Sequence, residues 1–130
     1  KEIGKRVRAA LDQVGLLSRE QAFPLELSTG EQQRVGIARA VVSKPPVLIA
    51  DEPTGNLDPD LSMEVMQIFR RFNEVGVTVL VASHDINLLE RFGLRRVRLE
   101  GGRIQDETAA PVAPPPGPAL VNPASFLGLE

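Results

Sequence analysis

Two short apolar runs constrain this chain more than any other feature. "VLIA" (Val47 to Ala50) and "VTVLVA" (Val77 to Ala82) carry no polar alternation, and each stops abruptly at polar residues. Asp51 and Glu52 follow the first run; Ser83, His84 and Asp85 follow the second. A short continuous apolar run is the pattern of a strand buried on both faces of a sheet. Between them lies a helical pattern, with Asp58 as its cap, Pro59 at its first position and Gly76 as its stop. Leu61, Val65, Ile68, Phe69 and Phe72 make its apolar face. Strand, helix and strand in this order predict a parallel unit with a right-handed crossover, and so an α/β fold.

The flanks fit around this unit. Ile3, Val7, Ala10, Leu11 and Val14 recur at helical spacing, with Gly15 as a stop. A second helix is expected from Ser28, its small face formed by Val35, Ala38, Val41 and Val42, and "SKPP" ends it because proline cannot continue a helix. A short helix is expected near Ile86 to Phe92. "RVRLEGGRI" then alternates and turns on Gly101–Gly102, the pattern of a hairpin. Residues 108–130 hold six of the eleven prolines and almost no charge, so a flexible tail is expected there and a folded domain over 1–107. The chain opens on Lys1, without methionine, directly into a helical pattern, as if its beginning were missing.

Composition closes several routes to function. With no cysteine among 130 residues, disulfides and thiolate metal sites are excluded. The longest apolar runs fall far short of the roughly 20 residues of a membrane helix. A net charge of −2 gives no general attraction to polyanions. Arg91, Arg95, Arg96 and Arg98 cluster, but no aromatics interleave them; a solvated strand face is the simpler reading, and no nucleic acid is expected.

Chemistry concentrates where the strands end. In open parallel sheets, ligands bind beyond the carboxyl ends of the strands, so Asp51, Glu52 and His84 are expected to face one crevice. Asp51 would hold a hydrated Mg²⁺ near phosphates, Glu52 would polarise an attacking water, and His84 would hydrogen-bond a terminal phosphate. Each has a plainer reading as a cap, a loop residue or a surface histidine. Ser28-Thr29-Gly30-Glu31 likewise reads as a capping box or, alternatively, as an anion site, because a helix N-terminus offers free donors.

Order and spacing join these signals. "LSTGEQQRVGIARAVVSKPPVLIADEPTGNLD…VASHD" resembles the second half of an ABC-type ATPase domain of the P-loop class, over most of Leu25 to Ile104. "LSTGEQ" looks like the family signature, "VLIADE" like the Walker B strand with its catalytic glutamate, "GNLD" like the D-loop, and His84 like the switch histidine. "DEPTGNLD" is most similar to a subgroup of cell-division (FtsE-like), lipoprotein-release and MacB-like ATPases, the FtsE-like type foremost.

The resemblance implies ATP and Mg²⁺ as ligands, Glu52 and His84 as catalytic residues and Asp51 as the metal ligand. Ser28, Thr29, Gly30, Glu31, Gln32 and Asp58 would bind nucleotide, the signature helix acting in trans on the nucleotide of a second copy in a homodimer. It further implies a membrane partner of the FtsX type and a cytoplasmic position on the inner face of the membrane. Gly30 would stay bare so that backbone and phosphate can approach, while the Thr29 side chain points away. No phosphate loop, G-x-x-x-x-G-K-[ST], occurs in the 130 residues, and no Q-loop precedes the signature. Roughly 90–100 residues are therefore expected to be missing upstream, since such a domain exceeds the middle of the domain size range. The chain alone is expected to be inactive. Two other readings remain: a non-catalytic binding module, and a DNA-repair or chromosome-organising ATPase, which would need sustained heptads that are not seen here.

Overall fold

Helices form where the apolar spacing is helical, the parallel strands where the runs are continuous, and the hairpin strands where polar and apolar residues alternate. The computed structural model describes residues 1–108, in the order α1 (Glu2–Gln13), 3₁₀ turns at Leu17–Arg19 and Pro24–Glu26, α2 (Thr29–Val41), β1 (Val47–Asp51), α3 (Pro59–Glu74), β2 (Thr78–Ala82), α4 (Ile86–Phe92), β3 (Arg96–Glu100) and β4 (Arg103–Thr108). The expected tail lies outside the described residues, apart from Thr108, which ends β4. Two compact units divide between Ser83 and His84.

In the first unit, β1 and β2 pair in parallel, Val47 opposite Thr78 through Asp51 opposite Ala82. α3 packs on β2 and α1 packs on α2. The core is built from Val14, Leu16, Ile37, Val41, Leu48, Val65, Met66, Ile68, Phe69 and Phe72, all buried. Burying one side chain of this size stabilises by about 1.5–3 kcal/mol. Leu61, expected on the same helical face, is only half-buried.

The strands depart from expectation. Burial alternates along both: Leu48 is covered while Ile49 is 70% exposed, and Leu80 opposite it is 59% exposed. Successive side chains of a strand point to opposite faces, so only one face of this sheet is covered by the described helices. Continuous hydrophobicity thus overstated the cover. The start of α1 departs similarly: Ile3 is 79% exposed, whereas Ala10 and Val14 are buried.

The second unit opens at His84. Asp85 caps α4, and Gly93, at φ 56°, ends it in the left-handed region that glycine enters without strain. β3 and β4 then form the expected antiparallel hairpin, turning on Gly101 and Gly102. Its register shifts between Arg98 and Leu99. Arg96 pairs with Glu90 at 3.4 Å and Arg98 with Glu100 at 3.7 Å.

Candidate functional site

The start of α2 is capped from both sides. Ser28 Oγ accepts the Glu31 N–H at 3.2 Å, and the Glu31 carboxylate accepts the Ser28 N–H at 2.8 Å. These reciprocal bonds form a capping box, worth about 1 kcal/mol in comparable helices. Thr29 and Gly30 are the first two helical residues, Thr29 exposed and Gly30 buried. Their N–H groups lie in the first turn, where no intrahelical acceptor exists. A helix end of this kind offers donors and positive potential to an anion.

Most of the polar side chains expected to bind nucleotide are engaged with the protein. Glu31 is spent on the cap and lies 3.5 Å from Arg19. The Ser28 N–H that donates to it, and then Arg19, hold its carboxyl below the ordinary 4.5, against partial desolvation. Gln32 donates from Nε2 to the carbonyls of Pro24 (3.0 Å) and Leu27 (3.1 Å), tying the preceding loop to the helix. Asp58 accepts the N–H groups of Asp60 (3.1 Å) and Leu61 (3.0 Å) and so caps α3.

Asp51 and Glu52 sit where the strand pattern puts them, at the carboxyl end of β1, both exposed. The Glu52 N–H donates to the Ala82 carbonyl at 2.8 Å, carrying the parallel ladder one residue past the strand. Glu52 has φ 47°, a left-handed conformation uncommon for a residue with a Cβ. The turn then closes with the Gly55 N–H on the Glu52 carbonyl and the Leu57 N–H on that of Thr54. Asp51 also lines an open cleft of about 140 Å³, with Gln33, Gly36 and Ala40 of α2 and Phe69 of α3. One exposed carboxylate suits Mg²⁺, which is commonly held by one or two carboxylates and substrate phosphates. Among the described residues, no three His, Cys, Asp or Glu side chains gather as a metal site of their own. His84 is exposed and opens the second unit, its carbonyl accepting the Ile86 N–H at 3.1 Å.

Two contacts between α2 and α3 were not legible beforehand. Arg34 Nη1 donates to Glu64 Oε2 at 2.7 Å, and Arg34 Nε is buried with no partner among the described residues. A Cβ on Gly30 would lie 3.1 Å from Leu61 Cδ1, so the bare face of Gly30 is turned toward α3. Arg34 and Glu64 are 30 residues apart, and no local pattern pairs them.

Comparison with known proteins agrees with the motif order. Residues 2–55 match the ABC transporter family. Over 103 residues the chain is 60% identical to the cell division ATP-binding protein FtsE of Escherichia coli strain K12, covering 79% of this chain and 46% of that protein. It is 50% identical over 109 residues to the FtsE of Streptococcus pneumoniae D39, covering 83% and 47%. The chain thus spans about half the length of these curated relatives. Among solved structures, a dimeric bacterial ABC transporter cassette is 40% identical with a TM-score of 0.69, covering 84% of this chain and 47% of that one. Family match, identity and shared fold converge: this chain belongs to the ABC transporter ATPase family.

Proposed function

We propose that the chain is the signature- and Walker B-bearing part of an FtsE-like ATPase subunit acting in cell division. The observation that carries this reading is the 60% identity to FtsE over 79% of the chain. The site geometry supports it. Asp51, at the end of β1, would hold Mg²⁺, which when bound draws charge from the nucleotide phosphates. Glu52, which follows it, would accept a proton from the attacking water; for His84, a hydrogen bond to the terminal phosphate is what the family resemblance implies. The Thr29 and Gly30 N–H groups donate to the γ-phosphate held by a second copy, with Ser28 fixing the helix start. A solved relative is a dimer, and another structure of the same cassette holds ADP and Pi after hydrolysis. Both are in keeping with a twofold sandwich.

Among the described residues, no helix is long and apolar enough to cross a membrane. The proposal places the subunit on the inner face of the cell membrane through a membrane protein of the FtsX type. The 130 residues contain no phosphate loop, so hydrolysis requires that loop to be supplied, and the chain by itself is inactive. Activity of a lipoprotein-release or MacB-like transporter is the alternative within the same subgroup.

The test uses the protein that carries the phosphate loop. Glu52→Gln should leave ATP binding intact, nearly stop turnover and accumulate a nucleotide-bound dimer. Unchanged turnover with monomers only would remove Glu52 from the chemistry and overturn the reading.

A further inference from the structure

We propose that Arg34 and Glu64 are positioning residues, whose ion pair holds the start of α2 against the start of α3 so that the two caps act as one rigid unit. The functional consequence rests on the ATPase reading above; the mechanical claim stands without it. Ser28 caps α2 and Asp58 caps α3. Arg34 lies six residues beyond the first cap and Glu64 six beyond the second, so the pair ties equivalent levels of the two helices. Nearer the caps, Gly30 and Leu61 make the close approach, at 3.1 Å for a Cβ. The helices are therefore held at two successive levels, one apolar and one ionic.

The ion pair differs from an ordinary surface bridge. The Arg34 side chain is only 21% exposed and Glu64 is 53% exposed, so the cation is largely withdrawn from water while the anion is not. Arg34 Nε is buried without a partner among the described residues, and its guanidinium is held by the Glu64 carboxylate at 2.7 Å, with the Glu31 carboxylate of its own helix as a weaker electrostatic neighbour. Taking away the partner of a withdrawn charge is costlier than losing an exposed pair, and the charge moves toward water in response. Such a move would carry the α2 turn bearing Arg34 away from α3. At 1.5 Å per residue, Arg34 lies about 9 Å along the axis from the helix start, so it acts through the cap and not on a ligand.

The pair is tested by Glu64→Ala, which removes the acceptor, against Glu64→Asp, which keeps the charge. The first readout is hydrogen exchange in the 130-residue chain at two amides, Glu31 and Leu61, each bonded to its own cap. Glu64→Ala should speed exchange at both together by about threefold to tenfold, with Glu64→Asp closer to the parent. In the protein carrying the phosphate loop, the same variant should lower kcat by a similar factor with KM for Mg-ATP within about twofold, because the nucleotide is held mainly elsewhere. A lowered melting temperature with both amides unchanged would reduce the pair to a structural bridge and overturn the proposal. So would unequal exchange at the two caps, or an unchanged kcat in a protein that hydrolyses ATP. If that parent protein shows no Mg-ATP turnover, the ATPase reading fails, and the exchange result still decides whether the caps are coupled.

Discussion

Gly30 and Leu61 set the distance between two helix starts: a Cβ on Gly30 would lie 3.1 Å from Leu61 Cδ1 and 3.3 Å from Cδ2. The space a side chain would need at Gly30 is taken up by α3, which differs from the expectation that it opens toward a phosphate. Leu61 is half-buried, so it can yield, but only by leaving its packing. Gly30→Ala should therefore cost about 1 kcal/mol by overpacking, and nearly nothing when combined with Leu61→Ala. Denaturant titrations of the four chains give the coupling directly. Equal costs in both backgrounds would mean that the side chain meets something other than Leu61.

The two caps should be separable from the core. Ser28→Ala and Asp58→Ala should each lower stability by about 1 kcal/mol, with far-ultraviolet dichroism almost unchanged. Asp58 serves two backbone donors and Ser28 one, so the Asp58 variant should be the worse of the two.

Acid should loosen the α2 cap. Glu31 is held below its ordinary value, chiefly by the Ser28 N–H, so its folded pKa lies under its unfolded one. Such a group adds stability above the unfolded value near 4.5, and that stability is lost as pH falls through the folded value. Glu31→Gln should flatten the acid limb of the stability curve as pH falls below about 4.5. A variant whose acid limb matches the parent would show that the carboxylate contributes no linkage.

Neighbours on one strand should behave oppositely. Leu48 is 5% exposed, so Leu48→Ala should cost about 2–5 kcal/mol in the 130-residue chain. Ile49 is 70% exposed, and Ile49→Thr should stay within about 0.5 kcal/mol. A large cost at Ile49 would mean that this face is covered in solution.

Thr29 provides a contrast to Gly30 in the signature. It is exposed at the first helical position, where threonine meets no strain. In the protein carrying the phosphate loop, Thr29→Gly should change turnover only modestly, whereas Gly30→Asp should abolish ATP-driven dimer formation and, because its side chain meets Leu61, lower stability more than Gly30→Ala does. Equal damage from both would place the helix start in another register.

Local chemistry was enough for the sequence to determine the elements and their ends. Ser28 and Glu31 are three residues apart, Asp58 directly precedes Pro59, and Gly101–Gly102 interrupts an alternating run; each signal acts over one turn, so each is readable in one dimension. The family motifs were legible for the same reason, being short and ordered. Only the tertiary structure decided what those elements touch. Ile49 and Leu48 are equally apolar, and which of them is covered depends on where α2 and α3 lie, not on hydrophobicity. Gly30 resembles any signature glycine until α3 brings Leu61 over it. Arg34 and Glu64 read as surface charges until two helices 30 residues apart in sequence are laid together, because burial and pairing are properties of packing and leave no periodic trace in the chain.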